Sequence, residues 1–306
     1  MTFEELRLKN AAEYADILQI EGVHAVGIGM NDAGEYVRSI YVHNPELVAN
    51  IQNTLLEDSE IIFEAEPVSD VLRFPKNLVT KLSALSDDEG RYRPVLGGVQ
   101  IYLEDDNDAW VGTLSCFVKS QDKQDDYIYM LSNQHVFESE ALLVYQPLSS
   151  DDNIVGIVTD VTHGDHLDSA LAKVLTPDYK VGVAEEIGKL TEIRTVIKAD
   201  IGKTVKKRGR TTGLTYGTIK SINCYVKIKR SNGGYRIVEH AIKITVDEER
   251  SRYYSMSGDS GSPVVLEDDN SLLGIHFAGN SIEHTYGYAS NISQIFEDLN
   301  IELAVE

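Results

Sequence analysis

From about residue 94 onward, short β-branched and aromatic runs alternate with glycine and polar turns, and helical periodicity returns only over Ile292–Leu303. Such runs cannot each bury a face alone. They predict antiparallel sheets closed into barrels or stacked as a sandwich. The chain has 306 residues, and the roughly 210 that follow residue 93 suffice for two small barrels packed together with a closing C-terminal helix.

The first 90 residues read differently. Phe3, Leu6, Tyr14, Ile17 and Leu18 fall at helical intervals, broken only by polar Asn10, and predict an amphipathic opening helix over 3–18. Val23–Met30 and Tyr36–His43 are strand-like runs joined by the turn Asn31-Asp-Ala-Gly34. A helix starting at Pro45 and a third strand over Ile61–Val68 complete a small α/β unit over 1–90. The polar stretch 83–91 lacks an apolar face and is the predicted linker to a second domain over 91–306.

Composition narrows the partners. With 28 Lys+Arg against 49 Asp+Glu the formal charge is −21, so the long-range field repels nucleic acid and anionic lipid. The N-terminus is charged where a signal peptide is apolar, and no stretch approaches the ~18 apolar residues that span a bilayer. A cytoplasmic protein is expected. Cys116 and Cys224 are the two cysteines, read as small buried hydrophobes.

The string Ser257-Gly-Asp-Ser-Gly-Ser-Pro263 leads into the apolar run Val264-Val-Leu266. A turn so rich in glycine can present the Ser260 hydroxyl while the N–H groups of Gly258 and Ser260 converge on a developing oxyanion. A serine nucleophile needs a base, and the base needs an orienting acid. His135 closes Leu131-Ser-Asn-Gln-His135 after the strand Tyr127–Leu131, and Asp168 opens Asp168-Ser-Ala-Leu-Ala172 after a polar turn.

These strings, in His…Asp…Ser order, resemble the chymotrypsin/trypsin-like serine peptidases, an order that separates them from subtilisin-like and α/β-hydrolase triads. The resemblance covers about residues 94–306 and implies a double β-barrel, no metal or cofactor, and a protein or peptide substrate bound between the barrels. Lys207–Gly217 and Arg93–Val99 are similar to stretches of bacterial trypsin-like and plant narrow-leaf proteins, which also carry an extra N-terminal segment. Leu273–Gly279 corresponds to the family's substrate-pairing strand. The specificity pocket is then read at Tyr254, Ser255, His276 and Gly279. No acid stands among them to receive Arg or Lys, whereas His276 and Ser255 match the carboxylate-binding groups of glutamyl endopeptidases. A pocket for small or apolar residues is the equal alternative.

Two departures bear on regulation. Val136 follows His135 where secreted relatives have a disulfide cysteine, and no propeptide junction supplies a fresh N-terminus to pair with Asp259. Asp259 therefore needs another partner, and the 1–90 unit is the expected gate, alongside a dedicated effector or activating partner in a bacterial stress or antiphage setting. Two further readings remain. His163-Gly-Asp-His166 with Asp168 could be a zinc cluster, and the basic run Lys203 to Arg210 could bind anions or form internal salt links. A fold retained as a peptide-binding module with a silent triad is the functional alternative.

Overall fold

The computed structural model describes residues 1–43, 59–64, 67–69, 72–75, 90–161, 166–229, 234–280 and 282–305. The expected opening helix is present as α1 (Phe3–Ile17), started by a capping box in which the Thr2 hydroxyl accepts from Glu5 N–H and the Glu5 carboxylate accepts from Thr2 N–H. Asn10 breaks the apolar stripe but is itself buried, donating from Nδ2 to the Asn223 carbonyl at 3.4 Å. The predicted hairpin is β1 (Val23–Met30) and β2 (Tyr36–Val42), in register at Val26↔Ile40. The third strand is shorter than expected: β3 (Ser59–Phe63) runs parallel to β2, and Pro67–Ser69 forms a separate strand, β4, followed by β5 (Leu72–Pro75). The helix expected at 45–56 and residues 83–89 of the expected linker lie outside the described residues.

The second region holds β6 (Val95–Gly97), β7 (Gln100–Glu104), β8 (Asp108–Thr113), β9 (Cys116–Ser120), β10 (Ile128–Ser132), β11 (Leu143–Tyr145), β12 (Ile154–Val161) and β13 (Ala170–Val174). A small sheet adds β14 (Tyr179–Ala184) and β15 (Gly188–Lys189) beside β6. The last six long strands are β16 (Thr204–Gly209), β17 (Gly213–Lys229), β18 (Tyr235–Val246), β19 (Pro263–Leu266), β20 (Leu272–Asn280) and β21 (Tyr286–Asn291). They pair in the order β16-β19-β20-β21-β18-β17, and β17 returns to β16, which closes a barrel. Helix α3 (Ile292–Asp298) caps it. The closing helix is shorter than expected because Asn300 turns at φ 51° and Ile301–Leu303 leaves as a strand, β22, paired with β9.

The remaining large sheet runs β22-β9-β10-β13-β12-β11-β7-β8-β5 around a core of Ile101, Trp110, Phe117, Met130 and Phe137. The second barrel packs Val205, Ile219, Ile244, Tyr254 and Val264. Residues 1–43 are stitched to it directly. β1 pairs with β17 at Ala25↔Val226, and Tyr14 of α1 stacks on Tyr225 with ring centroids 3.9 Å apart. Both cysteines are buried and free, and burial pushes each thiol up to about 12. No helix of the described residues is long and apolar enough to cross a membrane.

A second stitch is ionic. Lys243 of β18 is fully buried, with its ammonium over the rings of Tyr286, Tyr41 and Tyr288 at 3.4, 4.4 and 4.7 Å and paired to the Glu64 carboxylate. Burial depresses Lys243 to about 8 against the pull of Glu64. Removing one partner of such a pair leaves an uncompensated buried charge. Glu64→Leu is therefore expected to cost about 3 kcal/mol in urea unfolding, and a loss within error of zero would remove this contact from the account of how residues 59–64 are held.

Candidate active site

Strand pairing assembles the base and the acid. β10 pairs with β13 at Ser132↔Ala170, so the residues just after β10 and just before β13 meet at one end of the pair. There the chain turns through Asn133 into the one-turn helix α2 (Gln134–Phe137), which carries His135. Val136 and Phe137 anchor α2 in the core, and Trp110 Nε1 donates to the Val136 carbonyl at 2.6 Å. Asp168 is fully buried, and its Oδ2 lies 2.5 Å from His135 Nδ1 while its Oδ1 accepts from His135 N–H at 3.3 Å. Asn133 Nδ2 donates to the Asp168 carbonyl at 2.8 Å, fixing the loop.

Arg236 is a third member that sequence reasoning missed. It reaches from β18 and sets Nη2 2.5 Å from Asp168 Oδ2, with its side chain 9% exposed. Burial alone would raise the Asp168 carboxyl, but Arg236 and then His135 outweigh it and hold the group well below the usual carboxylate range. Its only signal in the sequence was one cation among many. Asp160, on neighbouring β12, is exposed.

Ser260 sits at the junction of the two large sheets. Its carbonyl accepts from Thr113 N–H at 2.8 Å on the first, and its hydroxyl donates to the Phe277 carbonyl at 3.5 Å on the second. Gly261, at φ 96°, permits this approach, since a Cβ there would stand 1.9 Å from the Thr113 carbonyl oxygen. Among the described residues no hydrogen bond joins Ser260 to His135. The His135 Nε2 is shielded from solvent and has no protein partner among the described residues.

The turn also aims its amides. The Ser257 carbonyl accepts from the Thr211 hydroxyl at 2.8 Å, and the Asp259 carbonyl accepts from Ser262 N–H at 3.0 Å and its hydroxyl at 2.5 Å. A trans peptide points its N–H opposite to its C=O, so the N–H groups of Gly258 and Ser260 face away from these anchors. Neither donates to a protein acceptor among the described residues. Two donors left open beside a serine hydroxyl have the form of an oxyanion hole.

The partner that Asp259 needed is Lys207. Its ammonium lies 3.0 Å from Asp259 Oδ2 with both side chains fully buried, and the carboxylate also accepts from the Thr212 hydroxyl at 2.7 Å and from the N–H groups of Thr211, Thr212 and Met256 at 2.9, 3.2 and 3.0 Å. Two further members of the basic run follow the salt-link reading, Lys203 on Asp200 and Arg208 on Glu186, whereas buried Arg210 donates to Gln100 Oε1 at 2.9 and 2.7 Å. The zinc reading gains nothing: no group of metal-ligating side chains occurs among the described residues, His163 lies outside them, and His166 contacts Asp298 at 3.1 Å.

Of the residues read as the specificity pocket, two are in direct contact. Tyr254 and His276 are fully buried and meet edge to face with centroids 5.9 Å apart. Gly287, absent from the sequence reading, forms the wall between them, because a Cβ there would stand 2.6 Å from the His276 ring and 2.9 Å from that of Tyr254. The Tyr254 and Ser255 hydroxyls are buried with no protein partner among the described residues. Gly279 lies along β20, opposite Gly287 of β21.

No protein-family model matches the chain, and no curated protein matches it. Among solved structures it is similar to Thermobifida fusca Protease A, at 18% identity over 69% of this chain and 99% of that one with a TM-score of 0.51. It is similar to a glutamic acid specific serine protease that utilizes a histidine triad in substrate binding, at 18% identity over 69% and 100% with a TM-score of 0.52. Nocardiopsis protease gives 15% identity over 69% and 99% with a TM-score of 0.51. The fold is the chymotrypsin-like double β-barrel with a C-terminal helix, and these structural neighbours are serine proteases.

Burial raises the Asp259 carboxyl, but Lys207 and the hydrogen bonds outweigh it and leave the group below its ordinary 3.8. A depressed carboxyl stabilises the fold fully above that ordinary value and less as pH falls through the folded one. The stability gap between wild type and Asp259→Asn, read by urea unfolding, should stay level from about pH 8 to pH 5 and narrow below pH 3.8. A gap that widens on acidification contradicts this pairing.

Proposed function

We propose that the chain is a serine endopeptidase in which His135, Asp168 and Ser260 act as a triad. The observation that supports the reading is the 2.5 Å contact between His135 Nδ1 and buried Asp168. His135 Nε2 takes the Ser260 proton as Oγ attacks the scissile carbonyl, and then returns it to the leaving amine. Asp168, held by Arg236, fixes the imidazole tautomer. The N–H groups of Gly258 and Ser260 receive the oxyanion, and water then hydrolyses the acyl-enzyme. The cytoplasmic setting, a dedicated protein substrate and a bacterial stress or antiphage role belong to the same reading through the resemblance to bacterial trypsin-like proteins.

The missing hydrogen bond between Ser260 and His135 favours a second reading, a silent fold used as a peptide-binding module. A serine-reactive phosphonate separates them. Labelling that vanishes in Ser260→Ala and His135→Ala, with Asp168→Asn slowed about 10⁴-fold, is the result expected of the triad. An unlabelled protein that still binds peptide would leave the module.

The pocket favours an acidic residue before the cut. His276 and the hydroxyls of Tyr254 and Ser255, which have no protein partner among the described residues, offer hydrogen-bond donors. Glutamic acid recognition through histidines, as described for one structural neighbour, is chemistry of this kind. Cleavage of a peptide library should enrich Glu or Asp at that position, and His276→Ala should erase the enrichment. Enrichment of Arg or Lys would overturn the pocket reading.

A further inference from the structure

The hairpin of β17 and β18 is longer than its barrel uses. β16 pairs with β17 from Gly213 to Thr218, and β21 pairs with β18 from Ile242 to Thr245. Beyond those pairings the two strands run on together, Val226↔Val238, Lys227↔Ile237 and Ile228↔Arg236, as an arm. The arm ends on the loop before β13. Glu239 N–H donates to the His166 carbonyl at 2.9 Å, two residues before Asp168, and the Arg236 guanidinium meets the Asp168 carboxylate.

A two-stranded hairpin is marginal by itself in water, and this one is splinted by the N-terminal residues. β1 pairs with β17 at Ala25↔Val226 and Val26↔Tyr225, and the Lys227 ammonium donates to the Leu18 carbonyl at 2.7 Å. Tyr14 of α1 touches both strands of the arm: its ring stacks on Tyr225 of β17, and its hydroxyl donates to the Glu239 carboxylate of β18 at 3.1 Å.

A carboxylate as deeply buried as that of Asp168 requires a counter-charge. Among the described residues, the ionisable groups in contact with it are His135 from α2 and Arg236 from β18. Arg236 carries a permanent cation, whereas His135 supplies a charge only by holding a second proton. That proton would stand on Nε2, which is shielded from solvent and has no protein partner among the described residues to receive it. The guanidinium also reaches the base's own helix, with Nη1 3.5 Å from Gln134 Oε1, so one planar group spans from the acid to the residue before His135.

We propose that Arg236 is a positioning residue of the triad: brought in by an arm that residues 1–43 splint, it supplies the counter-charge of Asp168, so that His135 rests with one proton on Nδ1 and leaves Nε2 open to the Ser260 proton. The effect on rate rests on the peptidase reading above, and the protonation of the ring does not. A change in α1 then acts on the base through β17, β18 and Arg236.

Ring ¹⁵N spectra of the full chain, with the His135 signals identified by their loss in His135→Gln, read the proton count without catalysis. At about pH 7, Arg236→Gln should raise the doubly protonated fraction of the His135 ring several-fold over wild type, and Arg236→Lys, which keeps the charge, should match wild type. Labelling by a serine-reactive phosphonate should slow roughly tenfold in Arg236→Gln. Tyr14→Leu, which keeps Arg236 and removes the stack and the hydrogen bond of the splint, should move the ring in the same direction by less, and it carries the test if Arg236→Gln does not fold. Equal ring spectra in wild type and Arg236→Gln, or an Arg236→Lys ring that follows Arg236→Gln, overturn the counter-charge, and an unmoved ring in Tyr14→Leu overturns the splint. The expected ring spectra in a wild type that the phosphonate never labels uphold the role of Arg236 and place the failure with the peptidase reading.

Discussion

One buried carboxylate organises the region around Ser260. Asp259 lies between Gly258 and Ser260, and what it accepts, one ammonium, one hydroxyl and three backbone N–H groups, leaves its turn little freedom. A charge at that depth is tolerable only with a partner. Lys207 therefore links the serine turn to β16, while Thr211 and Thr212, from the turn between β16 and β17, supply the remaining donors. The same turn fixes two peptide planes through Thr211 and Ser262, and so decides where the open amides point. The ammonium of an internal lysine thus stands against this acid and ties the serine turn to a neighbouring strand.

The N-terminal residues are woven into both large sheets. They extend the second barrel through β1 and β17, then supply β4 to the end of β20 and β5 to the edge of the other large sheet at β8. What the sequence presents as a separate opening unit is therefore held by backbone pairing on two sides.

Much of this was legible in the sequence because the signals were local. The seven residues around Ser260 encode the turn with their own glycines, and the run Tyr127–Leu131 announces a strand end at which His135 can be held. The hairpin over 23–42 carries its turn residues with it. What stayed hidden was set by distant pairing. Arg236 is an ordinary surface-type residue in sequence and becomes a neighbour of Asp168 only when β18 is placed. Lys207 sits among other cations, and nothing local distinguishes the one that pairs with Asp259. β4 is three residues long, too short for a periodicity to register, and the end of the expected helix over 292–303 became a strand because β9 offered it an edge.

That last strand has a mechanical consequence. β22 follows α3 and the second barrel in the chain and pairs with β9 of the other large sheet at Ile301↔Ser120 and Leu303↔Val118. The two halves are thus laced by residues 301–303 as well as by the chain that runs between them. Prising them apart would require breaking a strand ladder, so β22 works as a buckle that turns two sheets into one mechanical unit.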